Sequence, residues 1–313
     1  MSFHIVNIDA PDCSLSCKDG QLVYKRKGEV EKKLPLEDIA SIIITSFSAT
    51  IHSHLFLEAA KHGVALIICE AFKPTSLVLP ANRATDTLLC RAWLKLEVKA
   101  RERLWQATVD AKCRNQSSLA AHLAPEDPSL APLRMTAHGR KAHKESICAR
   151  YFWQVYGRTL EEGDFTRDRG SGGLNALLNY GYAVLLSTML QKLFGIGLDP
   201  TFGIAHVVRE RSTPLAYDLM EPFRPCVDWR VARWVQREAE AANASPGEGR
   251  WEVTREFRQW VTGFPLERAE HLGLELNILN CIEGVVRSFR RAVLTGELHH
   301  YKPWILKDSK WAG

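Results

Sequence analysis

The feature that most constrains the fold is a change of hydrophobic period near residue 86. Before it, short runs rich in β-branched residues, such as His4–Ile8, stand between turn signals and predict strands. After it, apolar residues recur at helical spacing, beginning with 89–100. The sequence therefore predicts an α+β fold. A β-rich, sandwich-like domain is expected over residues 1–88, followed by a larger all-α domain over 89–313.

Glycines and prolines divide the second half into helices. Three long helical patterns end just before a glycine, the residue that most often follows a helix C-terminus. They are expected at about 139–156, 174–194 and 267–294. A further short helix is expected to begin near Pro214, and 241–249 is expected to be a flexible connection.

Composition limits the class of protein. Hydrophobic residues make up 46% and charged residues 25% of the 313 residues, the balance of a soluble globular chain. No apolar run of about 18 residues predicts a membrane span, and no secretory signal pattern opens the chain. We therefore expect a cytoplasmic protein. Its eight scattered cysteines are expected to be buried free thiols.

Charge is distributed unevenly along the chain. The first 90 residues hold 9 Lys and Arg against 10 Asp and Glu, whereas the remainder holds 32 against 26. A basic surplus in one half is compatible with a polyanionic partner such as DNA, because neutralising phosphates releases counterions. An ordinary, mildly basic surface explains the same charge equally well.

Two acids near Pro214 are candidates for metal binding. In a helix starting there, Asp218 and Glu221 stand at positions i and i+3 and share one side. Like charges in that arrangement repel unless a cation lies between them or water surrounds them. An ordinary acidic surface therefore remains the alternative to a metal site.

Two further residues extend this candidate site. His206 ends a connection that contains glycine and proline, and Glu145 lies in the predicted helix over 139–156. A helical Glu is usually solvated, so Glu145 gains a functional interpretation only in combination with the others. Two carboxylates and an imidazole form a hard donor set that suits Mg²⁺ or Mn²⁺ better than zinc.

Other motifs are interpreted as structural. Asp168–Gly173 is rich in glycine but lacks the Lys-Ser/Thr that follows a phosphate-binding loop, so a flexible loop is expected. The pairs His52 with His54 and His299 with His300 are interpreted as surface or core histidines without acidic or Cys companions.

Several segments together resemble a known family, the CRISPR-associated protein "Cas one", over nearly the whole chain. The segments, in family order, are Leu104-Trp105 to Asn115-Gln116, Ala142-His143-Lys144-Glu145 with Ala149-Arg150-Tyr151, Leu174 to Ala183, Gly197 to His206, and Asp218 to Pro225 with Asp228. No single segment is decisive, but the set is hard to obtain by chance.

The resemblance implies specific roles. The metal ligands of the family fall on Glu145, His206 and Glu221, which are also the catalytic residues that it implies, with Asp218 as a second acid near the metal. The family often has Asn after the His, whereas this chain has Val-Val-Arg-Glu-Arg over 207–211, so the local DNA contacts are expected to differ.

The implied activity is that of a DNA integrase and endonuclease of CRISPR spacer acquisition. The 3′-OH ends of a captured double-stranded DNA fragment would be joined to the CRISPR repeat by transesterification. A homodimer through the β-rich domain and a complex with a small partner, "Cas two", are also implied, and no membrane is involved. Phosphate contacts are expected from a group of arginines, namely Arg209, Arg211, Arg224 and Arg230. For Arg224, pairing with a carboxylate is the alternative. A stand-alone metal-dependent nuclease and a non-catalytic DNA-binding scaffold remain alternatives.

Overall fold

Two four-stranded sheets form the first part of the fold. The computed structural model describes residues 4–70, 73–78, 87–139, 142–161, 163, 165–168, 170–206, 213–248 and 251–306. The strands are β1 His4–Ile8, β2 Cys13–Lys18, β3 Gln21–Arg26, β4 Lys32–Pro35, β5 Ile39–Ile44, β6 Thr50–Ile51, β7 Ala65–Glu70 and β8 Lys73–Val78, with helix α1 Ser53–Lys61 between β6 and β7. One sheet has the order β1-β5-β7-β8 and the other β4-β3-β2-β6. The predicted β-rich start is confirmed.

Helices dominate the rest of the chain. They are α2 Thr87–Lys95, α3 Val98–Leu123, α4 Leu130–His138, α5 Lys144–Thr159, α6 Leu174–Ile196, α7 Pro214–Met220, α8 Arg224–Ala241, α9 Arg255–Thr262 and α10 Ile278–Thr295. A hairpin of β9 Arg268–His271 and β10 Leu274–Asn277 precedes α10. The α+β class is confirmed, with this hairpin as an addition to the expected all-α second part.

The hairpin corrects the helix that we expected over 267–294. Leu272 and Gly273 have positive φ angles of 53° and 84°, the conformation of a tight hairpin turn. The helix begins only at Ile278, where the side chain of Asn277 accepts a hydrogen bond from Asn280 N at 2.8 Å. A capping residue therefore sets this boundary, and the apolar pattern before it belongs to strands.

The expected helix over 139–156 also shifts. It begins at Lys144, after His143 in a left-handed conformation with φ of 55°, and continues through Gly157 to Thr159. A Cβ on Gly157 would lie 2.7 Å from Phe165 Cβ. This glycine is therefore required by close packing, and it does not terminate the helix.

Helix α6 is the centre of the helical part. Most of its residues are buried, and it packs against α7, α8, α9 and α10. Ile43 of β5 and Ile67 of β7 join the same core cluster, because one face of their sheet lies on α6. The opposite face, with Ile42 and Leu66, belongs to a separate core shared with α1. The boundary proposed at residue 88 falls inside α2.

Two further expectations concern cysteines and membranes. All eight cysteines are free thiols, and six of them are buried. Within the part of the chain that the structure describes, every helix falls short of the length and apolar character that a membrane crossing requires.

Candidate metal centre

Glu221 lies where α7 passes into α8. It opens a single 3-10 turn, Glu221–Phe223, and only 5% of its side chain is exposed. Asn115 of α3 holds this turn, because its Nδ2 donates to the carbonyl oxygen of Pro222 at 2.8 Å. The ring of Phe223 stacks on Trp304 with centroids 5.0 Å apart. The carboxylate of Glu221 is therefore fixed from two sides.

Lys112 joins Glu221 to Glu145. Its Nζ lies 2.7 Å from Glu221 Oε2 and 2.6 Å from Glu145 Oε1, and 11% of its side chain is exposed. Burial alone would lower the pKa of Lys112, but the two carboxylates outweigh burial and raise it. A buried cation thus connects two residues that are 76 positions apart in the chain. One ammonium group serves both acids.

Arg224 supplies a second cation to Glu221. Its Nε donates to Glu221 Oε1 at 2.8 Å, and its guanidinium lies 4.5 Å from the ring centroid of Tyr182. Burial alone would raise the pKa of Glu221, but Arg224 and Lys112 outweigh it and lower that pKa to about 2. Glu221 is therefore a carboxylate at neutral pH.

Asp218 orders the loop that carries His206. It is fully buried, and its Oδ1 lies 2.7 Å from His206 Nδ1. Its two oxygens also accept the backbone N–H groups of Ile204, Ala205 and His206, at 2.5, 3.2 and 3.2 Å. With Nδ1 engaged by Asp218, His206 Nε2 is available to a ligand or a reacting group. The pKa of His206 is raised, chiefly by the hydrogen bond to Asp218.

Gly203 is required by this loop. A Cβ at that position would lie 2.3 Å from the carbonyl oxygen of His206 and 2.6 Å from Pro214 Cβ. Both contacts are far closer than a methyl group tolerates, so the loop closes onto the start of α7 only with glycine there. The glycine places His206 beside Asp218.

Asp218 and Glu221, which the sequence placed in one candidate site, have different partners in the structure. Asp218 bonds the His206 loop, whereas Glu221 contacts Lys112 and Arg224. Among the described residues, separate partners relieve the expected repulsion, and the two acids share none of them.

The residues present fit a hard divalent cation. Two carboxylates and an imidazole nitrogen form the donor set, and Glu221 Oε2 accepts no well-directed hydrogen bond although Lys112 Nζ lies nearby. Lys112 shows that a cation is already required between Glu145 and Glu221. However, among the described residues, the ligand atoms of Glu145, His206 and Glu221 do not form a group that lies entirely within 4.8 Å. A metal-bound state therefore requires the side chains to draw together.

The arginines expected to bind phosphate have different positions. Arg224 is committed to Glu221, and Arg230 donates to the carbonyl oxygen of Trp260 and pairs with Glu267. The pairing of Arg224 is the carboxylate alternative that the sequence left open for it. Arg230 is also bound to protein groups here, which revises its expected role as a phosphate ligand. Arg209 and Arg211 lie outside the described residues.

Sequence reasoning assigned no site role to several residues that the structure places at the centre. They are Lys112, Asn115, Tyr182 and Asp228, all inside the segments that carry the family resemblance. The sequence feature that could have indicated these residues is a polar side chain on an otherwise apolar face of a helix. A sequence motif does not identify the partner of such a residue, because the partner is distant in sequence.

Asp228 is a buried acid behind the site. The hydroxyl of Tyr182 donates to its Oδ1 at 2.5 Å, and its Oδ2 has no hydrogen-bond partner. Burial raises the pKa of Asp228 to about 7, while Tyr182, Arg224 and Arg167 oppose that rise. In the folded state the neutral acid is thus favoured below about pH 7.

This arrangement predicts a pH dependence of stability. Because the folded pKa lies above the unfolded value, the stabilisation by protonated Asp228 is complete below about pH 4 and lost as pH rises through about 7. Relative to Asp228→Asn, the free energy of unfolding of the parent should fall by up to about 3 kcal/mol between about pH 5 and 8. Urea unfolding of both proteins at the two pH values measures this difference. Parallel pH profiles would contradict it.

Comparisons with known proteins agree with the sequence motifs. The chain matches the family described as CRISPR associated protein Cas1 over residues 6–259. A CRISPR-associated endonuclease Cas1 of Neisseria meningitidis serogroup C (strain 8013) is 31% identical over 240 residues, covering 74% of this chain and 76% of that protein.

Solved structures share the fold. A casposase bound to integration product gives a TM-score of 0.72 at 20% identity, covering 100% of this chain and 96% of that chain. A chain of a Cas6-RT-Cas1–Cas2 complex gives 0.73 at 14% identity, covering 97% of this chain and 36% of that chain. At these identities the likeness concerns architecture.

Proposed function

This chain belongs to the CRISPR-associated Cas1 protein family, and on that premise we propose that it is a metal-dependent DNA integrase and endonuclease of spacer acquisition. The observation that carries the proposal is the cluster of buried Lys112 and Glu221 with the partly exposed Glu145, together with His206 held by Asp218. A scaffold that only binds DNA has no use for two acids held around a buried cation. The casposase likeness, with its integration product, supports strand joining.

Glu145, His206 and Glu221 would hold Mg²⁺ or Mn²⁺. The ion would act as a Lewis acid on the scissile phosphate and stabilise the attacking oxygen. Glu221 contributes a carboxylate that stays ionised, since Arg224 and Lys112 lower its pKa to about 2. Lys112 keeps the acids compensated before an ion binds, and afterwards its ammonium is available to the phosphate. Arg224 holds Glu221 in place from the other side.

In the proposed reaction, the 3′-hydroxyl of the captured fragment gives up its proton to water, and its oxygen forms a bond to phosphorus at the repeat. The bond from phosphorus to the leaving 3′-oxygen breaks, and that oxygen takes up a proton. His206 either completes the metal site or supplies this proton, because Asp218 raises its pKa and leaves Nε2 free. Asp218 acts on the reaction through His206.

A strand-transfer assay tests the proposal. A labelled duplex with free 3′-OH ends, incubated with a repeat-containing duplex and Mn²⁺, should yield a longer covalent product. A stand-alone nuclease would shorten both duplexes without joining them, since water would attack in place of the 3′-OH. A non-catalytic scaffold would bind the DNA and leave every strand intact. A fragment ending in a 3′-deoxy nucleotide is the matched control, because it lacks the nucleophile.

DNA binding should depend steeply on salt and little on sequence. Arg209 and Arg211 follow His206 directly along the chain and are the remaining phosphate candidates. For each lost phosphate contact, the slope of the log binding constant against the log salt concentration should become less steep by about 0.9. Anisotropy titrations of Arg209→Ala and Arg211→Ala between about 50 and 200 mM salt measure this slope. An affinity that does not change with salt would contradict DNA binding through phosphates.

The assembly should be a homodimer through the β-rich part, bound to a Cas2-type partner. The solved complex that contains Cas1 and Cas2 has a chain with this fold. Strands β4 and β6 are edges of their sheet, and edges are covered in stable assemblies. Light scattering should give twice the mass of 35.3 kDa at micromolar concentration. A monomer would contradict the dimer. The family resemblance also implies that two dimers flank the partner, so that two active sites face the two ends of one DNA fragment. Integration products of undefined length with the partner present would contradict this arrangement.

A further inference from the structure

The segment that follows α10 brings one carboxylate and two imidazoles together. Glu297 Oε2 lies 3.2 Å from His300 Nε2 and 4.0 Å from His299 Nε2. Among the described residues, these three offer ligand atoms that all lie within 4.8 Å of one another. Sequence analysis interpreted the two histidines as lacking an acidic companion, and the contact with Glu297 corrects that interpretation.

The distances between these ligand atoms are close to those around a tetrahedrally coordinated metal ion. Zinc bonds of about 2.0–2.2 Å place neighbouring ligand atoms about 3.3 Å apart. The two distances from Glu297 Oε2 lie on either side of this value. Small side-chain rotations of the exposed Glu297 and His299 are sufficient to reach it.

Thr295 sets the tautomer of His300. Its hydroxyl donates to the carbonyl oxygen of Arg291 at 3.0 Å and lies 3.1 Å from His300 Nδ1. A threonine hydroxyl has one proton, so with that proton committed to Arg291 it can only accept from Nδ1. Nδ1 therefore carries the hydrogen, and the Nε2 of a neutral His300 directs its lone pair toward Glu297. This is the tautomer and second-shell arrangement of a histidine metal ligand.

Two acceptors then face each other. A lone pair on His300 Nε2 and a carboxylate oxygen of Glu297 at 3.2 Å require a cation between them. The candidates are an extra proton on the ring or a metal ion. The presence of His299 as a second imidazole favours the metal, because a lone proton needs only one partner.

We propose that Glu297, His299 and His300 bind a Zn²⁺ ion at a site separate from Glu145, His206 and Glu221. Two imidazole nitrogens and one carboxylate oxygen form a donor set that suits zinc, with one position left for water. None of these three residues belongs to the proposed strand-transfer site.

The ion would brace the segment that supports the Glu221 turn. Directly after His300, the Tyr301 hydroxyl lies 2.9 Å from Thr108 Oγ1 of α3. Three residues later, Trp304 stacks on Phe223 beside Glu221. A metal at 297–300 thus fixes the start of a segment whose continuation packs against the Glu221 turn.

Calorimetric titration with Zn²⁺ tests the site in the His206→Ala background, which removes the imidazole of the other site. We expect one saturable Zn²⁺ site, lost in the Glu297→Gln/His300→Ala double variant. Thr295→Val keeps all three ligands but removes the acceptor of the Nδ1 hydrogen, so affinity should fall about 10- to 100-fold. Co²⁺ should give a visible absorption band in the background protein and none in the double variant.

A matched control is available on α1. His54 Nε2 lies 3.5 Å from Glu58 Oε1, a single histidine–carboxylate pair without a second imidazole. His54→Ala should leave Zn²⁺ binding unchanged. If the His206→Ala protein shows no saturable Zn²⁺ binding, or if the Glu297→Gln/His300→Ala variant binds as well as its parent, the site does not exist and the cation between these groups is a proton.

Discussion

Replacing Glu221 with alanine should abolish strand transfer and cleavage while the protein remains folded and still binds DNA. Glu145→Ala and His206→Ala should do the same, because each removes one donor of the proposed metal site. A loss of at least about a thousandfold, or about 4 kcal/mol of barrier, is expected for each. The measurement is the initial rate of product formation in the labelled strand-transfer assay with Mn²⁺.

Binding and folding provide the controls for these three variants. DNA affinity should change little, since phosphate contacts come mainly from Arg and Lys. Glu240→Gln is a matched control, because Glu240 is an exposed acid on α8. Full activity in any one of the three alanine variants, with metal still required, would remove that residue from the site. Asp218→Ala should retain reduced activity, because Asp218 acts only by placing His206.

Lys112→Met should destabilise the protein strongly in metal-free buffer and far less when Mn²⁺ is present. The substitution leaves Glu145 and Glu221 without the ammonium that lies 2.6 and 2.7 Å from them. Breaking a buried ion pair on one side costs about 3–5 kcal/mol in the free energy of unfolding. A divalent cation that binds the same acids would restore much of that loss by mass action. Urea unfolding with EDTA and with Mn²⁺ measures both effects.

A second lysine provides the comparison. Lys192 Nζ lies 2.9 Å from Glu283 Oε2, but Glu283 is partly exposed, so Lys192→Met should cost about 1 kcal/mol or less. Mn²⁺ should leave that cost unchanged. If Mn²⁺ also fails to restore the free energy of unfolding of Lys112→Met, Glu145 and Glu221 do not bind the ion. The metal assignment is then wrong, even if the ion pair is structurally important.

The fold could be predicted from local sequence patterns, whereas the candidate site could be predicted only in part. The Asp-Gly pair at 19 and 20 adopts the left-handed turn expected of a hairpin, and α7 begins at Pro214 as predicted. These features depend on neighbouring residues. The helix expected over 267–294 was wrong in its first third, because a short apolar stretch does not distinguish a hairpin from a helix.

The contacts of the site depend on the tertiary fold. Lys112 and Asn115 lie on α3, more than 100 positions before the Glu221 turn that they bind. No periodicity in a single sequence reports such a pair, and a buried lysine resembles a solvated one until its partners are known. The family motifs singled out Glu145, Glu221 and His206, whose role as ligands stays a prediction. They assigned no role to the cation between two of the acids.

The support of the Glu221 turn has a consequence for how the protein becomes active during synthesis. Asn115 Nδ2 donates both to Pro222 and to the carbonyl oxygen of Trp304, and its Oδ1 accepts from Leu306 N. Translation runs from the N-terminus to the C-terminus, so residues 304–306 are synthesised after Glu145, His206 and Glu221. The nascent chain therefore carries all three proposed ligands before it can hold Glu221 in place. Synthesis of residues 304–306 thus limits when the proposed metal centre can first form.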